Sequence, residues 1–403
     1  MADRGRPAVY SIPTHRAFAD SLVEGLITQF GESGMALATG TILVPNNRAA
    51  TAIQDAFVRR SSAGLLLPRM VPVGDPDLGE NVGSALDPMG SEPIPPAVDP
   101  LQRQLILARL LQNRDGKLDG AQAMRLALDL GRVLDQLTVE KKSLGDIPEG
   151  FASELQSHWA DALAQLAVIL TDWPVELERL GRIDLADRRN RQLARVAEWW
   201  RSAPPPGFVI AAGISTAAPA IADLLKVVAQ MKRGQVVLAG LDLFMPPDEW
   251  DAIGGDDDHP GIETHPQFHI HQLLQRIGVA RAEVDPWPWG RDEKARVLRG
   301  ERVSLGMAPA LFTNKWVALD RSERLLRGVH ALELATPAEE AQAIALALRS
   351  ALETPAQTVA LVTPNRVLAA GCLPCSNGGA SMLTILRGCR CPHRCRERCC
   401  CPL

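Results

Sequence analysis

Thr41-Ile42-Leu43-Val44-Pro45-Asn46-Asn47-Arg48-Ala49-Ala50 is the stretch that decides the fold class. Four apolar or β-branched residues end at a proline, and a helical pattern begins at once. It runs from Asn47 to Arg60, with Ala49, Ile53, Ala56 and Phe57 on one side. A short apolar run bounded by turn residues reads as a buried strand, and apolar residues three and four apart read as one helix face. The same order of events comes just before. Ala8-Val9-Tyr10-Ser11-Ile12 is a strand, and Pro13-Thr14-His15 is a turn with Thr14 as candidate N-cap. Phe18, Leu22, Leu26 and Phe30 then recur at helical spacing. Strands alternating with helices predict an α/β fold built on a parallel sheet.

Working outward, residues 68–100 hold eight prolines and read as a long loop or extended crossing segment. Amphipathic helices follow over Leu101–Leu111, Ala121–Leu137 and Ser153–Leu170, and another ends at Trp199-Trp200. Residues 101–203 therefore read as a helical insertion. Pro204-Pro205-Pro206-Gly207 closes it, and strand-like runs return at Phe208–Ala212 and Gln235–Gly240, separated by a helix over Thr216–Met231. Residues 7–67 and 207–245 are expected to share one sheet, giving a first domain of 1–100 plus 204–250. Residues 251–326 read as a connecting region that includes the acidic loop Gly254-Gly255-Asp256-Asp257-Asp258. His330–Ala335 as a strand, Glu339–Leu352 as a helix and Thr358–Val362 as a strand predict the start of a second α/β domain over 327–370.

Composition fits this reading. The chain has 403 residues, 46% hydrophobic and 22% charged, which is ordinary for a soluble protein of two or three domains. No apolar run reaches the length of a membrane-spanning helix. Met1–Pro13 has no apolar core of a signal peptide, so the expected compartment is the cytoplasm. The net charge of −4 is uneven. Five Arg and one Glu follow Arg366, whereas the body before it carries 38 basic and 46 acidic residues. An acidic body is not a surface for sequence-independent DNA binding, which rests on Lys and Arg neutralising phosphates. All eight cysteines lie between Cys372 and Cys401. A cysteine-free body suits a reducing compartment.

A working nucleotide motor needs the cradle G-x-x-x-x-G-K-[ST] between a strand and a helix. The first such turn reads Ile12-Pro13-Thr14-His15-Arg16, without glycine or lysine. Gly116-Lys117 lies between helices and is followed by Leu118 rather than a hydroxyl residue. No Asp-Glu pair ends the Phe208 strand, where a magnesium-holding acid belongs. No ATP site is therefore expected. The rival reading puts Arg16 in the lysine's place. His259, His265, His269 and His271 fall within 13 residues, and His265 and His269 have the i, i+4 spacing of metal ligands. His265 precedes Pro266 and so stands outside a helix, which favours surface histidines over a metal site. Trp287-Pro288-Trp289 reads as a packing anchor between domains, or as a platform for stacking bases.

Taken together, these landmarks resemble the AddB family, the nuclease-bearing subunit of the AddAB helicase–nuclease, over about residues 7–370. The resemblance rests on Ile42–Ala50, Leu65-Leu66-Leu67-Pro68-Arg69, Gly213-Ile214-Ser215-Thr216 with Pro219, Val236–Asp242, His265-Pro266-Gln267, and Glu339-Glu340-Ala341 through Thr363-Pro364-Asn365-Arg366, in family order. It implies a degenerate P-loop, superfamily 1 helicase-like sheet with a helical insertion, then the start of a second such domain. It also implies an AddA-type helicase–nuclease partner, DNA ends as substrate, no membrane, and a complex that uses ATP and magnesium to resect double-strand breaks for recombination. Asn46, Asn47 and Arg48, with Asn365 and Arg366 in the second domain, become candidate DNA contacts, because polar groups and helix-start amides suit a phosphate. The alternative for each is a capped helix with a solvated arginine. Family proteins often carry an iron–sulfur cluster whose cysteines bracket the nuclease domain, and none of those cysteines transfers to this chain. Neither a cofactor nor a catalytic residue is expected here, since the family nuclease lies beyond residue 366.

Residues 371–403 depart from all of this. Cys372, Cys375, Cys389, Cys391, Cys395 and Cys399 have spacings that zinc or an iron–sulfur cluster uses, which would make the protein a metal-binding regulator acting through its tail. The abrupt end of the resemblance, and the turn to Gly, Pro, Arg and Cys, favour instead a changed reading frame near Val367–Gly371 and a tail without order.

Overall fold

The structure is a computed structural model that describes residues 6–31, 34–61, 64–74, 93–114, 116, 118–143, 171–255, 260–292, 294–324, 328–354 and 359–376. The chain divides into two compact units, Met1–Leu325 and Leu326–Leu403.

The first unit is an α/β domain on a six-stranded, wholly parallel sheet. Its strands are β1 (Val9–Ile12), β2 (Thr41–Val44), β3 (Arg69–Pro72), β4 (Val209–Ala212), β5 (Gly234–Ala239) and β6 (Asp285–Pro286), in the order β3-β2-β4-β5-β1-β6. Alternation of side chains puts Val9, Leu43, Val209, Ala211, Val236 and Leu238 into one core. Ile12, Ile42, Val44, Ile210, Ala212 and Val237 fill the core on the opposite face. Both faces are covered, which is why these strands read as unbroken apolar runs rather than alternating ones. Helices α1 (Phe18–Phe30) and α3 (Asn47–Arg60) lie on the second face, flanking the short α2 (Gly34–Ala38). On the first face lie α6 (Leu185–Ser202), α7 (Pro219–Gln230), α8 (Pro247–Gly254) and α9 (Phe268–Ile277).

The two stretches read as one sheet do form one sheet. β4 and β5 insert between β2 and β1, so residues 9–72 and 209–239 interleave rather than sitting side by side. The helical block follows β3, with α4 (Pro100–Arg114) and α5 (Gly120–Val139) packed around Leu107, Leu111, Ala123, Ala127 and Trp173. The buried Asp184 carboxylate ties it together, 2.8 Å from Arg103 Nε and accepting from Trp173 Nε1 at 2.8 Å. Burial pushes that carboxyl group up despite Arg103. The helix expected over Ser153–Leu170 lies outside the described residues.

Two strands were not visible in the sequence. β3 lies among the prolines, and β6 lies in the region read as a connector, where it pairs with β1 at the sheet edge. That region also supplies α9, α10 (Lys294–Gly306) and the short α11 (Lys315–Ala318) to the first unit.

In the second unit the sequence reading needs correction. Neither His330–Ala335 nor the described part of Thr358–Val362 is a strand; residues 330–335 are exposed, and Val362 is 93% exposed. A parallel strand needs neighbours to take its backbone hydrogen bonds, and no strand is present among the described residues of this unit. What forms is a pair of packed helices, α12 (Pro337–Leu352) and α13 (Arg366–Ser376). The first helix starts with a capping box, Thr336 Oγ1 accepting from Glu339 N while Glu339 Oε2 accepts from Thr336 N, each at 3.2 Å. The second runs through the point where the tail was placed, so residues 371–376 are helical and Cys372 is buried. Residues 377–403 lie outside the described ones. Among the described residues no helix is long and apolar enough to cross a membrane.

Candidate functional site

In an open parallel sheet, ligands bind beyond the carboxyl ends of the strands, where neighbouring strands send their chains to opposite faces. Here one such place lies between β1 and β5, and a second lies between β2 and β4, which leave through α3 and α7. The chain leaves β1 through α1 on one face and leaves β5 through α8 and α9 on the other. Gly240 ends β5 with φ +72°, a conformation that side chains resist, and donates its N–H to Ile12 O at 2.8 Å. Its backbone comes so close to Thr14 that an added Cβ would lie 2.8 Å from Thr14 Cγ2. Gln267 bridges the same edge, donating from Nε2 to Gly240 O and accepting from Asp242 N, each at 3.0 Å.

The β1–α1 turn is filled by the protein's own charges. Arg16 Nε donates to Asp292 Oδ1 at 2.5 Å, and Nη2 closes a second bond to Asp292 Oδ2. Arg16 Nη1 donates to Trp287 O at 2.8 Å and to Trp289 O at 3.1 Å. His15 Nε2 lies 2.9 Å from Asp292 Oδ1. A fork-on-carboxylate pair of this kind is directional as well as strong. The bond from Arg16, with a smaller contribution from His15, lowers the Asp292 carboxyl to about 2. Arg16 is 10% exposed, and its charge is committed within the fold.

The Trp287-Pro288-Trp289 segment is an anchor. Trp287 is fully buried, donates from its indole to Ser21 O at 2.9 Å, and lies so close to Gly25 that an added Cβ there would meet the ring at 2.4 Å. Trp289 packs edge-on against it at 4.8 Å. The platform reading therefore fails for Trp287, since a buried ring stacks no base.

The candidate DNA contacts take the same form in both units. Asn46, Asn47 and Arg48 are exposed at the carboxyl end of β2. Asn46 Oδ1 accepts from Ala49 N at 3.0 Å, so this side chain caps α3. In the second unit Asn365 Oδ1 accepts from Val367 N at 2.9 Å and Leu368 N at 3.2 Å, capping α13, and Arg366 is exposed beside it. Each asparagine thus caps its own helix, and Asn47, Arg48 and Arg366 are exposed beside these caps.

Of the histidines, His259 lies outside the described residues. The surface reading is wrong for His265. It is 8% exposed, lies 2.8 Å from Met307 O through Nε2, and accepts from Gln267 N at Nδ1. His269 is exposed on α9, and His271 packs on Trp250 with ring centroids 4.9 Å apart. Cys372 and Cys375 lie on α13, while Cys389, Cys391, Cys395 and Cys399 lie outside the described residues. No group of three or more metal-ligating side chains occurs among the described residues.

The sequence reading missed Asp292. Its partner Arg16 is 276 residues away, and no local pattern signals such a pair. No protein-family model matches this chain, and no curated protein does.

Proposed function

We propose that this chain is a DNA-guiding, non-hydrolysing component of the AddB kind, built on a degenerate superfamily 1 helicase-like sheet. It works beside an AddA-type helicase–nuclease on broken DNA ends. The observation that carries the reading is the occupied turn. A motor binds phosphate at the first strand–helix turn through glycine amides and a lysine. Here Arg16 carries the one guanidinium of that turn, and it is held by Asp292 and two carbonyls. DNA phosphates would instead meet Asn47 and Arg48 at the start of α3, with Asn46 holding the helix amides in place. Arg366 does the corresponding work in the second unit. The acidic body leaves the partner to supply most of the counter-charge.

The test is a fluorescence-anisotropy titration of a blunt duplex end, with the chain alone and then with an AddA-type partner. The expected result is weak binding alone and partner-dependent binding that Arg48→Ala reduces at every DNA sequence. ATP hydrolysis by the chain alone, or end binding indifferent to both the partner and Arg48, would overturn the proposal.

A further inference from the structure

Three donors converge on one carboxylate at the β1–α1 turn. Arg16 Nε and His15 Nε2 both address Asp292 Oδ1, at 2.5 and 2.9 Å, and Arg16 Nη2 addresses Oδ2. A carboxylate oxygen only accepts, so His15 Nε2 carries the proton. Two oxygens therefore serve three donors, and Oδ1 takes two of them. Other contacts hold the donors in place. Arg16 Nη1 is fixed by Trp287 O and Trp289 O, and the Trp287 ring is fully buried. His15 is enclosed by α10, whose Gly300 comes so near that an added Cβ would lie 3.4 Å from Nδ1. Burial is uneven across the cluster. The side chains of Arg16 and His15 are 10% and 9% exposed, whereas that of Asp292 is 43% exposed. The carboxylate is a plug whose outer side stands in water, on the short link between Trp289 and the start of α10 at Lys294.

We propose that the β1–α1 turn is a phosphate-binding site that Asp292 keeps closed from within the chain, as a tethered competitor for the same donors. The inference goes beyond the DNA role and stands without it. A phosphate group offers a third oxygen, so each of the three donors gains an acceptor of its own, in charge-assisted bonds. The place is right for such a group, because β1 and β5 send their chains to opposite faces and open parallel sheets take ligands in that crevice. When Asp292 swings out, the enclosed Arg16 loses the carboxylate that neutralises it, and an uncompensated buried charge favours any anion that takes its place. The two carbonyls on Nη1 keep the Nε and Nη2 edge aimed at the vacated position. A carboxylate on the same chain competes at high effective concentration. The parent's affinity for phosphate is therefore reduced by the fraction of molecules that stand open.

The experiment compares the full chain with its Asp292→Ala and Asp292→Asn variants at constant ionic strength. The probes are inorganic phosphate, pyrophosphate and acetate, read by calorimetry and by NMR of the Arg16 Nε–H and His15 imidazole signals. Phosphate and pyrophosphate are expected to bind Asp292→Ala about fivefold or more tightly than the parent, and to move both signals. Asp292→Asn keeps the side-chain shape and removes the charge, so it should change in the same direction, and it carries the test if the alanine variant loses its fold. Adding Arg16→Met to either variant should abolish the gain. In Asp292→Ala, tighter binding of a 5′-phosphorylated than of a 5′-hydroxyl oligonucleotide would make a nucleic-acid end the source of the phosphate, and equal binding would make it free phosphate. Equal phosphate binding by the parent and both variants, acetate as effective as phosphate, binding that moves neither signal, or a gain that survives Arg16→Met would each overturn the proposal. None of these outcomes touches partner-dependent DNA binding through Arg48, so the two readings fail separately.

Discussion

Phe208-Val209-Ile210-Ala211-Ala212 and Thr358-Val359-Ala360-Leu361-Val362 are almost the same kind of sequence, and they meet opposite fates. The first gives β4, with Val209 and Ile210 wholly buried between β2 and β5. Of the second, the described residues form no strand, and Val362 is 93% exposed. The difference lies in the company each run keeps. A parallel strand is stable when two neighbours take its amides and carbonyls and helices cover both of its faces. β2 and β5 supply those neighbours in the first unit. In the second unit the described residues of the two runs read as strands stay unpaired, although the helix between them forms with its own capping box. A capped helix satisfies its backbone within itself, whereas a strand depends on chain elsewhere.

The most damaging way to probe this contrast is to put a charge into each run. Ile210→Asp buries an unpaired carboxylate between β2 and β5 and should cost at least about 4 kcal/mol, enough to unfold a marginally stable domain. Val362→Asp should shift the main thermal transition by no more than about 1 °C, the expectation for an exposed surface change. Paired melts followed by circular dichroism decide the matter. A large destabilisation by Val362→Asp would mean that the second run is buried in solution after all.

How far the sequence is legible follows the same rule. β1, β2, β4 and β5 lie within a residue or so of where apolar runs place them, and α3 has the expected bounds Asn47–Arg60. These elements announce themselves locally. β3 and β6 do not, because each is a short edge strand held by one neighbour and spelled in prolines, Arg69-Met70-Val71-Pro72 and Asp285-Pro286. The β1–α1 turn was half legible. The absence of a cradle is written in Pro13-Thr14-His15-Arg16, but the Asp292 that fills the place is written 276 residues later. The packing of His271 on Trp250 left no local pattern, since the spacing of four histidines carries no sign of one imidazole lying on a tryptophan ring.

A second, smaller test compares the charges at the two helix starts. Asp292 titrates near 2 because Arg16 binds its charged form, so its stabilising contribution is complete above the unfolded carboxyl value of about 4 and is lost as the pH falls toward 2. Asp292 is 43% exposed, so solvent screening brings the contribution to about 1 kcal/mol. Asp292→Asn should therefore lower stability at pH 7, and the mutant and the parent should converge near pH 2 in urea melts. A constant gap down to pH 2 would show that the contact works through packing rather than charge. In the second unit no charge pair holds Arg366 among the described residues, so Arg366→Gln should leave the same pH profile unchanged.

The smallest expected effect separates a helix cap from a DNA contact, which the sequence left open at both sites. Asn46 accepts the Ala49 amide, so Asn46→Ala should cost about 1 kcal/mol of stability in the first unit. Asn365 accepts two amides at the start of α13, yet that helix packs in a unit with no strand among its described residues. Asn365→Ala should therefore speed amide exchange over residues 366–376 and leave the main melting transition where it is. Asn47→Ala and Arg48→Ala remove no cap and should leave both stability readouts within about 0.5 kcal/mol of the parent. If α3 begins at a phosphate, these two changes should weaken binding of a duplex end in the presence of the partner, and Arg48→Ala should also flatten the salt dependence by close to one phosphate contact. A loss of stability with unchanged DNA binding in Arg48→Ala would assign the α3 start wholly to the fold and remove the DNA role from the first unit.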